Sequence, residues 1–436
     1  MRFVYFRQAW QMLGQNRLYS AVYIIGTGLA IAMTMVIAIV YYIKIAPLYP
    51  ESNRNRTLMA KSIKIQYLKQ NNLGSSMFSY DFVKEHFYTM QSPEAVSAVM
   101  ATWDDYPLVE LADEKGVLPV TVAYTDDKYW KVFDFDFING APFTEADFQS
   151  AIKSAVISAS LANRLFGTVE AEGKRMMLDG DSYRVSGVVR DVSLATPATY
   201  AQVWAPFTIR ADELATTSGF GEGMMGVMGV CFLARSNSDA HSVKAEVDEI
   251  VRKLNASQDD YIVSLAGQPE LHWKSLFRHS SYTEIDWVEV IKTFGTILLA
   301  LLIIPAVNLA GMVSSRMERR LSEIGIRKAF GASYNTLVGQ ILTENFLLTC
   351  LGGALGLILS YILMFTSRNW ILTLFDKWPE AIPEGLDFSL SAGMLFNPVV
   401  FLITLGVCFI LNFLSAIIPA HYGLKKGIVY SLSNNK

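Results

Sequence analysis

Cysteine and histidine are scarce in this sequence, and neither is arranged for chemistry. The three cysteines, Cys231, Cys350 and Cys408, lie far apart, and the last two fall in apolar runs. That excludes a disulfide framework and a zinc knuckle. The five histidines, His86, His241, His272, His279 and His421, show no metal-ligand spacing, so no metal site is expected. H-E-x-x-H and G-x-S-x-G are absent. The nearest approach to a phosphate-binding loop is GTVEAEGKR, Gly167 to Arg175. It holds five residues between its glycines rather than four, and Arg175 stands where Ser or Thr must meet magnesium. No catalytic residue is expected, and no cofactor bound by this chain. A net charge of −3 carries no argument for a nucleic-acid partner, and none is expected.

Charge is also missing locally. Leu18–Ile43, Thr293–Ser315, Asn345–Ser367 and Phe388–Ala420 contain no Asp, Glu, Lys, Arg or His. A bilayer core of about 30 Å is crossed by roughly 20 helical residues, and each run is long enough. A hydrophobic content of 52% exceeds that of an ordinary soluble protein. The fold class expected is a membrane protein: four transmembrane helices with a large α+β extracytoplasmic domain inserted between the first and second. The spans are placed at 18–43, 293–315, 345–367 and 398–420. Basic residues flank one side of them: Arg2, Arg7 and Arg17 before the first run, and Lys425, Lys426 and Lys436 after the last. By the positive-inside rule, 1–17, 316–344 and 421–436 are cytoplasmic, while 44–292 and 368–397 lie outside. Residues 44–292 carry 24 basic against 33 acidic residues, which agrees.

That outer region has room for one domain of two lobes. LPVTVAYT, SAVISAS, SYRVSGVVRDV and DYIVSLA have strand character. SLANRLFG has the pattern of a short helix closed by Gly167, and HSVKAEVDEIVRKLNA puts Val243, Val247, Ile250, Val251 and Leu254 on one helical face. GFGEGMMGVMG, Gly219 to Gly229, is open between an adaptable contact loop and a mobile surface loop.

Between the second and third runs sits RMERRLSEIGIRKAFGAS, with seven charged residues in eighteen. As a helix, Met317, Leu321 and Ile324 form one apolar stripe, and Glu323 precedes Arg327 in the favoured order. Gly331 suits a left-handed stop, and Ser333 suits the cap of the next helix. Either a partner or the lipid headgroups would accept such a segment. The stretch resembles the signature cytoplasmic loop of the FtsX/MacB-type ABC transporter permeases at Arg320, Glu323, Ile324, Gly325, Ile326, Arg327, Ala329, Gly331, Ala332 and Ser333. Lys328 and Phe330 stand where the family often has Arg and Leu. The outer NGAPFTEADF, SAVISASLANRLFG, AEGKRMMLDGDSYRVSGVVRDV and VWAPF are similar to the MacB-type periplasmic core domain, and the N-terminal FRQAWQMLGQNRLYSAVYIIGTGLAIA to that family's first helix. The C-terminal PAHYGLKKGIVYSL departs from the family's ending.

The resemblance implies a permease subunit in the bacterial inner membrane, with both termini cytoplasmic. A dimer of these chains would sit over ABC ATPase subunits, and ATP with Mg would be used by that partner. About seventeen residues precede the first run, so the ATPase is expected on a separate chain. The coupling site implied comprises Arg316, Arg319, Arg320, Glu323, Ile324, Gly325, Ile326, Arg327, Lys328, Gly331, Ala332 and Ser333. The function implied is export or efflux by mechanotransmission. An FtsX-like regulator of a cell-wall enzyme, a lipoprotein or lipid extraction permease, and a receptor without an ATPase stand as alternatives. The cargo, the choice of homo- or heterodimer, and recruitment of a periplasmic adaptor and outer-membrane channel stay open. For helix packing, Gly352 and Gly356 give G-x-x-x-G, and Gly26 with Ala30 a second small pair. Pro305 is placed as a hinge or a static kink.

Overall fold

The computed structural model describes residues 17–69, 72–102, 106–111, 116–193, 195–217, 221–275, 277–278, 280, 282–297, 299–300, 303, 311, 315, 321–373 and 397–425. They fall into two compact units. One, within residues 43–286, is the outer α+β domain; the other holds the long apolar helices. The hinge expected at Pro305 lies outside the described residues, as do Arg316, Arg319 and Arg320.

In the apolar unit, α1 (Arg17–Ile45) carries the first uncharged run. Within the outer domain, α2 (Ala159–Phe166) and α3 (Ala240–Ala256) are the main helices. The apolar unit continues with α4 (Leu321–Ala329), α5 (Tyr334–Thr373) and α6 (Pro398–Lys425). Two described helical stretches, Ser20–Ile45 and Tyr334–Ser367, are long and apolar enough to cross a membrane. Pro398–Leu411 is a shorter apolar helix, and the run at 293–315 is described only in part.

The outer domain is built on a mostly antiparallel sheet buried on both faces. Met228–Ala234 lies between Pro93–Met100 and Thr57–Ala60, antiparallel to both. Successive strand residues point to opposite faces. Accordingly Val230 and Phe232 enter one apolar core with Leu58, Ala98 and Val203, while Cys231 and Leu233 enter a second with Met59, Trp204 and Val156. Double burial makes these strands continuous apolar runs rather than alternating ones. It also settles the character of Cys231: burial pushes its thiol up to about 12, so it is a small apolar packing group.

Local signals set the connections. Ser158 caps α2, accepting from the Leu161 amide at 3.4 Å, and Gly167 ends the helix at φ +69°. The helix lets Asp181–Val189 return parallel to Ser154–Ser158. On α3, Val243 and Val247 are fully buried, and Ile250, Val251 and Leu254 pack beside them. Two sequence expectations change. LPVTVAYT is not one strand but two, Val117–Pro119, paired with Leu108–Glu110, and Val122–Thr125, paired with Val203–Pro206 and Pro93–Met100. The methionine-rich stretch is not a loop throughout. Met225–Gly226 pairs with Met77 and Phe78, and Met224, Met225 and Met228 are buried, filling the core as flexible side chains do.

Asp126 organises the sheet's middle. Its Oδ1 accepts from Ser97 Oγ at 2.7 Å and the Tyr129 amide at 3.0 Å; its Oδ2 accepts from Tyr88 Oη at 2.6 Å and the Ala98 amide at 2.8 Å. Burial pushes the carboxyl up to about 6 against the opposing pull of the Tyr88, Ser97 and Ala98 hydrogen bonds. Asn in its place turns an NH2 toward one of two backbone amides, whichever way the amide is flipped. Asp126→Asn is therefore expected to cost about 1–3 kcal/mol, the penalty of one unsatisfied buried N–H. Urea unfolding of the full chain measures it, and a wild-type midpoint would refute it.

Candidate functional site

The site is the short charged helix α4 and its junction with α5. Arg327 and Lys328 occupy the last turn of α4, where positive charge suits the helix dipole. Gly331 follows at φ +83°, a conformation that costs a residue with a Cβ. Its amide bonds Lys328 O at 3.0 Å, and the Ala332 amide bonds Arg327 O at 3.0 Å, the paired closure of a Schellman stop. Ser333 then caps α5, its Oγ accepting from the Thr336 amide at 3.3 Å. Arg327 Nη1 reaches across to Gln340 Oε1 at 2.5 Å. Two helices are thus joined by a turn closed on both sides by hydrogen bonds.

The surroundings hold α5 in turn. Tyr23 of α1 is buried with Leu337 and Leu348 of α5, and the half-buried Ala332 packs on this group. Further along, a Cβ at Gly356 would lie 2.8 Å from Gly28 O and 2.9 Å from Ile31 Cβ; one at Gly352 would lie 2.9 Å from Thr27 Cβ. Gly352 and Gly356 therefore pack on α1 within one chain, against Thr27, Gly28 and Ile31. Gly26 is exposed and Ala30 half-buried, so the small residue that meets α5 is Gly28. On the opposite side Phe346 of α5 stacks edge-on against Phe409 of α6 at 5.0 Å, and Tyr334 Oη lies 2.7 Å from His421 Nδ1.

Of the residues singled out in the sequence, Gly325 is buried, Arg327, Lys328 and Ala332 are half-buried, and Ile326, Gly331 and Ser333 are exposed. Glu323 and Ile324 lie on α4, with side chains outside the described set, as is that of Leu321. The stripe of Met317, Leu321 and Ile324 therefore falls outside what is described. The structure adds Phe330, 88% exposed, with Ile326 one turn before it at 50% and Tyr334 at 43%. The sequence signal was available: Ile326 and Phe330 are spaced i, i+4.

In the sequence, a large α+β domain is followed by a short charged helix that turns onto a membrane-length helix. Residues 23–250 match the MacB-like periplasmic core domain and residues 295–428 the FtsX-like permease C-terminal domain. The chain belongs to the MacB/FtsX family of ABC transporter permeases. It is similar to the ABC transporter permease YknZ of Bacillus subtilis, 22% identical over 323 residues, covering 72% of this chain and 75% of that one. It is also similar to the macrolide export ATP-binding/permease protein MacB of Nitrobacter winogradskyi, 24% identical over 247 residues; that match covers 56% of this chain and 36% of MacB. Among solved structures, it matches the extracellular domain of the noncanonic ABC-type transporter YknZ from Gram-positive bacteria. The TM-score is 0.32 at 18% identity, covering 47% of this chain and 100% of that one.

Proposed function

We propose that this chain is the permease subunit of a MacB-type exporter that works by mechanotransmission. It crosses the inner membrane four times, with both termini cytoplasmic and the sheet domain periplasmic. Two copies sit over a separate ATPase that uses ATP and Mg, and α4 is seated on that ATPase. The observation that carries this reading is the rigid junction: α4, the Gly331 turn and the Ser333 cap continue into α5, which packs on α1 through Gly352 and Gly356. A packed helix moves as a body rather than stretching, so a push on α4 reaches α1, the helix whose last residues belong to the outer domain.

The test is ATP hydrolysis by the ATPase reconstituted with this chain in nanodiscs. Wild type stimulates hydrolysis, and Glu323→Lys or Arg327→Glu loses the stimulation while the chain stays inserted. If both variants stimulate like wild type, the coupling assignment is wrong. In a deletion strain, a changed export profile supports the exporter reading; a cell-wall defect with unchanged export would replace it with the regulator.

A further inference from the structure

Both ends of the outer domain meet in a buried charged joint. The last carbonyls of a helix have no amide partner within it. At the end of α1 they are taken up by one side chain, Arg54, which is 2% exposed. Its Nη1 donates to Ile43 O at 2.6 Å, Lys44 O at 3.2 Å and Ala46 O at 2.8 Å. Its Nη2 donates to Ala195 O at 3.3 Å, and its Nε to Glu51 Oε2 at 2.7 Å. Only the fixed fork of a guanidinium serves so many acceptors at once. Glu51 is as deeply buried; its Oε1 accepts from Thr199 Oγ1 at 3.0 Å, and its Oε2 lies 3.3 Å from His272 Nε2.

His272 belongs to the other end of the domain. It follows the strand Glu270–Leu271 and precedes the helical residues 287–297 that open the second apolar run. A second buried pair, Arg278 to both oxygens of Glu270 at 2.7 Å, braces the same segment. Glu270–Leu271 pairs with Thr57–Ala60, which starts three residues after Arg54 and pairs in turn with Met228–Ala234. Glu51 thus holds, through Arg54, the end of α1 and, through His272, the lead-in to the second run. The second of these is paired directly with Thr57–Ala60, and the first is held by Arg54, three residues before that strand.

Resting on the mechanotransmission reading, we propose that Glu51, Arg54 and His272 are positioning residues forming a rigid joint: they fasten the end of α1 and the lead-in to the second membrane run to the outer sheet, so that the sheet follows both as one body. The joint is downstream of the ATPase contact. Its loss separates hydrolysis from outer movement.

Hydrogen exchange on the full chain in detergent tests the joint directly. Arg54→Lys and His272→Ala are each expected to raise exchange at least tenfold at both residues 43–48 and residues 270–275, with the remaining sheet protected as in wild type. His272→Gln, whose Nε2 can still donate to Glu51, restores both. If His272→Ala loosens only 270–275, the joint does not exist. The second measurement uses the ATPase complex in nanodiscs, with a spin label at the exposed Leu73 of each copy. The ATP-dependent shift in label separation is expected to vanish in Arg54→Lys while stimulated hydrolysis persists. An unchanged shift overturns the proposal, and so does loss of stimulation in this variant, which would place the defect at α4. Failure of the exporter reading itself appears differently, as absent stimulation by the wild-type chain.

Discussion

Glu51→Ala is expected to lower the unfolding free energy of the outer domain by about 3–5 kcal/mol, the cost of removing one partner from a buried ion pair. It leaves the Arg54 guanidinium buried and unpaired, facing only carbonyls. It also removes the carboxylate facing His272 Nε2, while the Thr199 hydroxyl keeps its bond to Thr196 O at 3.1 Å. Urea unfolding of the full chain, followed by tryptophan fluorescence, measures the loss. The double replacement Glu51→Leu/Arg54→Leu sharpens the point. Buried ion pairs exchanged for apolar residues often cost nothing, but here the carbonyls of Ile43 and Ala46 would lose their donor. The double variant should stay well below wild type, and full recovery would show that Arg54 matters only to Glu51. The pH dependence has a definite sign. Burial raises the Glu51 carboxyl, yet His272 and Arg54 outweigh it and hold it below its ordinary value of 4.5. A depressed carboxyl contributes stability above its unfolded value, lost as pH falls through the folded one. Wild type should therefore weaken below about pH 4.5 more steeply than Glu51→Ala does.

The joint was not legible in the sequence, although much around it was. α3 and the strand at Ser154–Ser158 follow from the period of their apolar residues, which is a local property. The stop at Gly331 and the cap at Ser333 follow from backbone demands that few residue types meet. Arg54, by contrast, takes its role from Ala195, and Glu51 from Thr199 and His272, all more than 140 positions away. The one local hint was an acid and a base spaced i, i+3 just beyond an apolar run. The helix face of α1 was illegible for the opposite reason. A helix apolar all round has no stripe to choose, so spacing alone did not distinguish Gly26 and Ala30 from Gly28 as the partner of Gly352 and Gly356.

Phe330 shows what exposure adds to such a pattern. A phenyl ring left 88% exposed, one helical turn beyond a half-exposed Ile326, is out of place on a surface that contacts only water. On the mechanotransmission reading this pair fills a groove of the ATPase, while the charges of α4 set register. Truncating an aromatic anchor at the centre of an interface costs about 2 kcal/mol or more, which is about thirtyfold in affinity. Phe330→Ala is therefore expected to weaken ATPase binding about thirtyfold, and Phe330→Asp, which buries a charge, by more. Folding should not register either change, since the ring is 88% exposed among the described residues and the α4 stop is made by the backbone of Arg327, Lys328, Gly331 and Ala332. Titration of the detergent-solubilised chain with the ATPase gives the affinity, and thermal melting gives the control. A ring that merely rests in lipid headgroups predicts the reverse, with ATPase affinity untouched and partitioning of an α4 peptide into anionic vesicles reduced. That pair of results would move the contact from Ile326 and Phe330 to another face of α4.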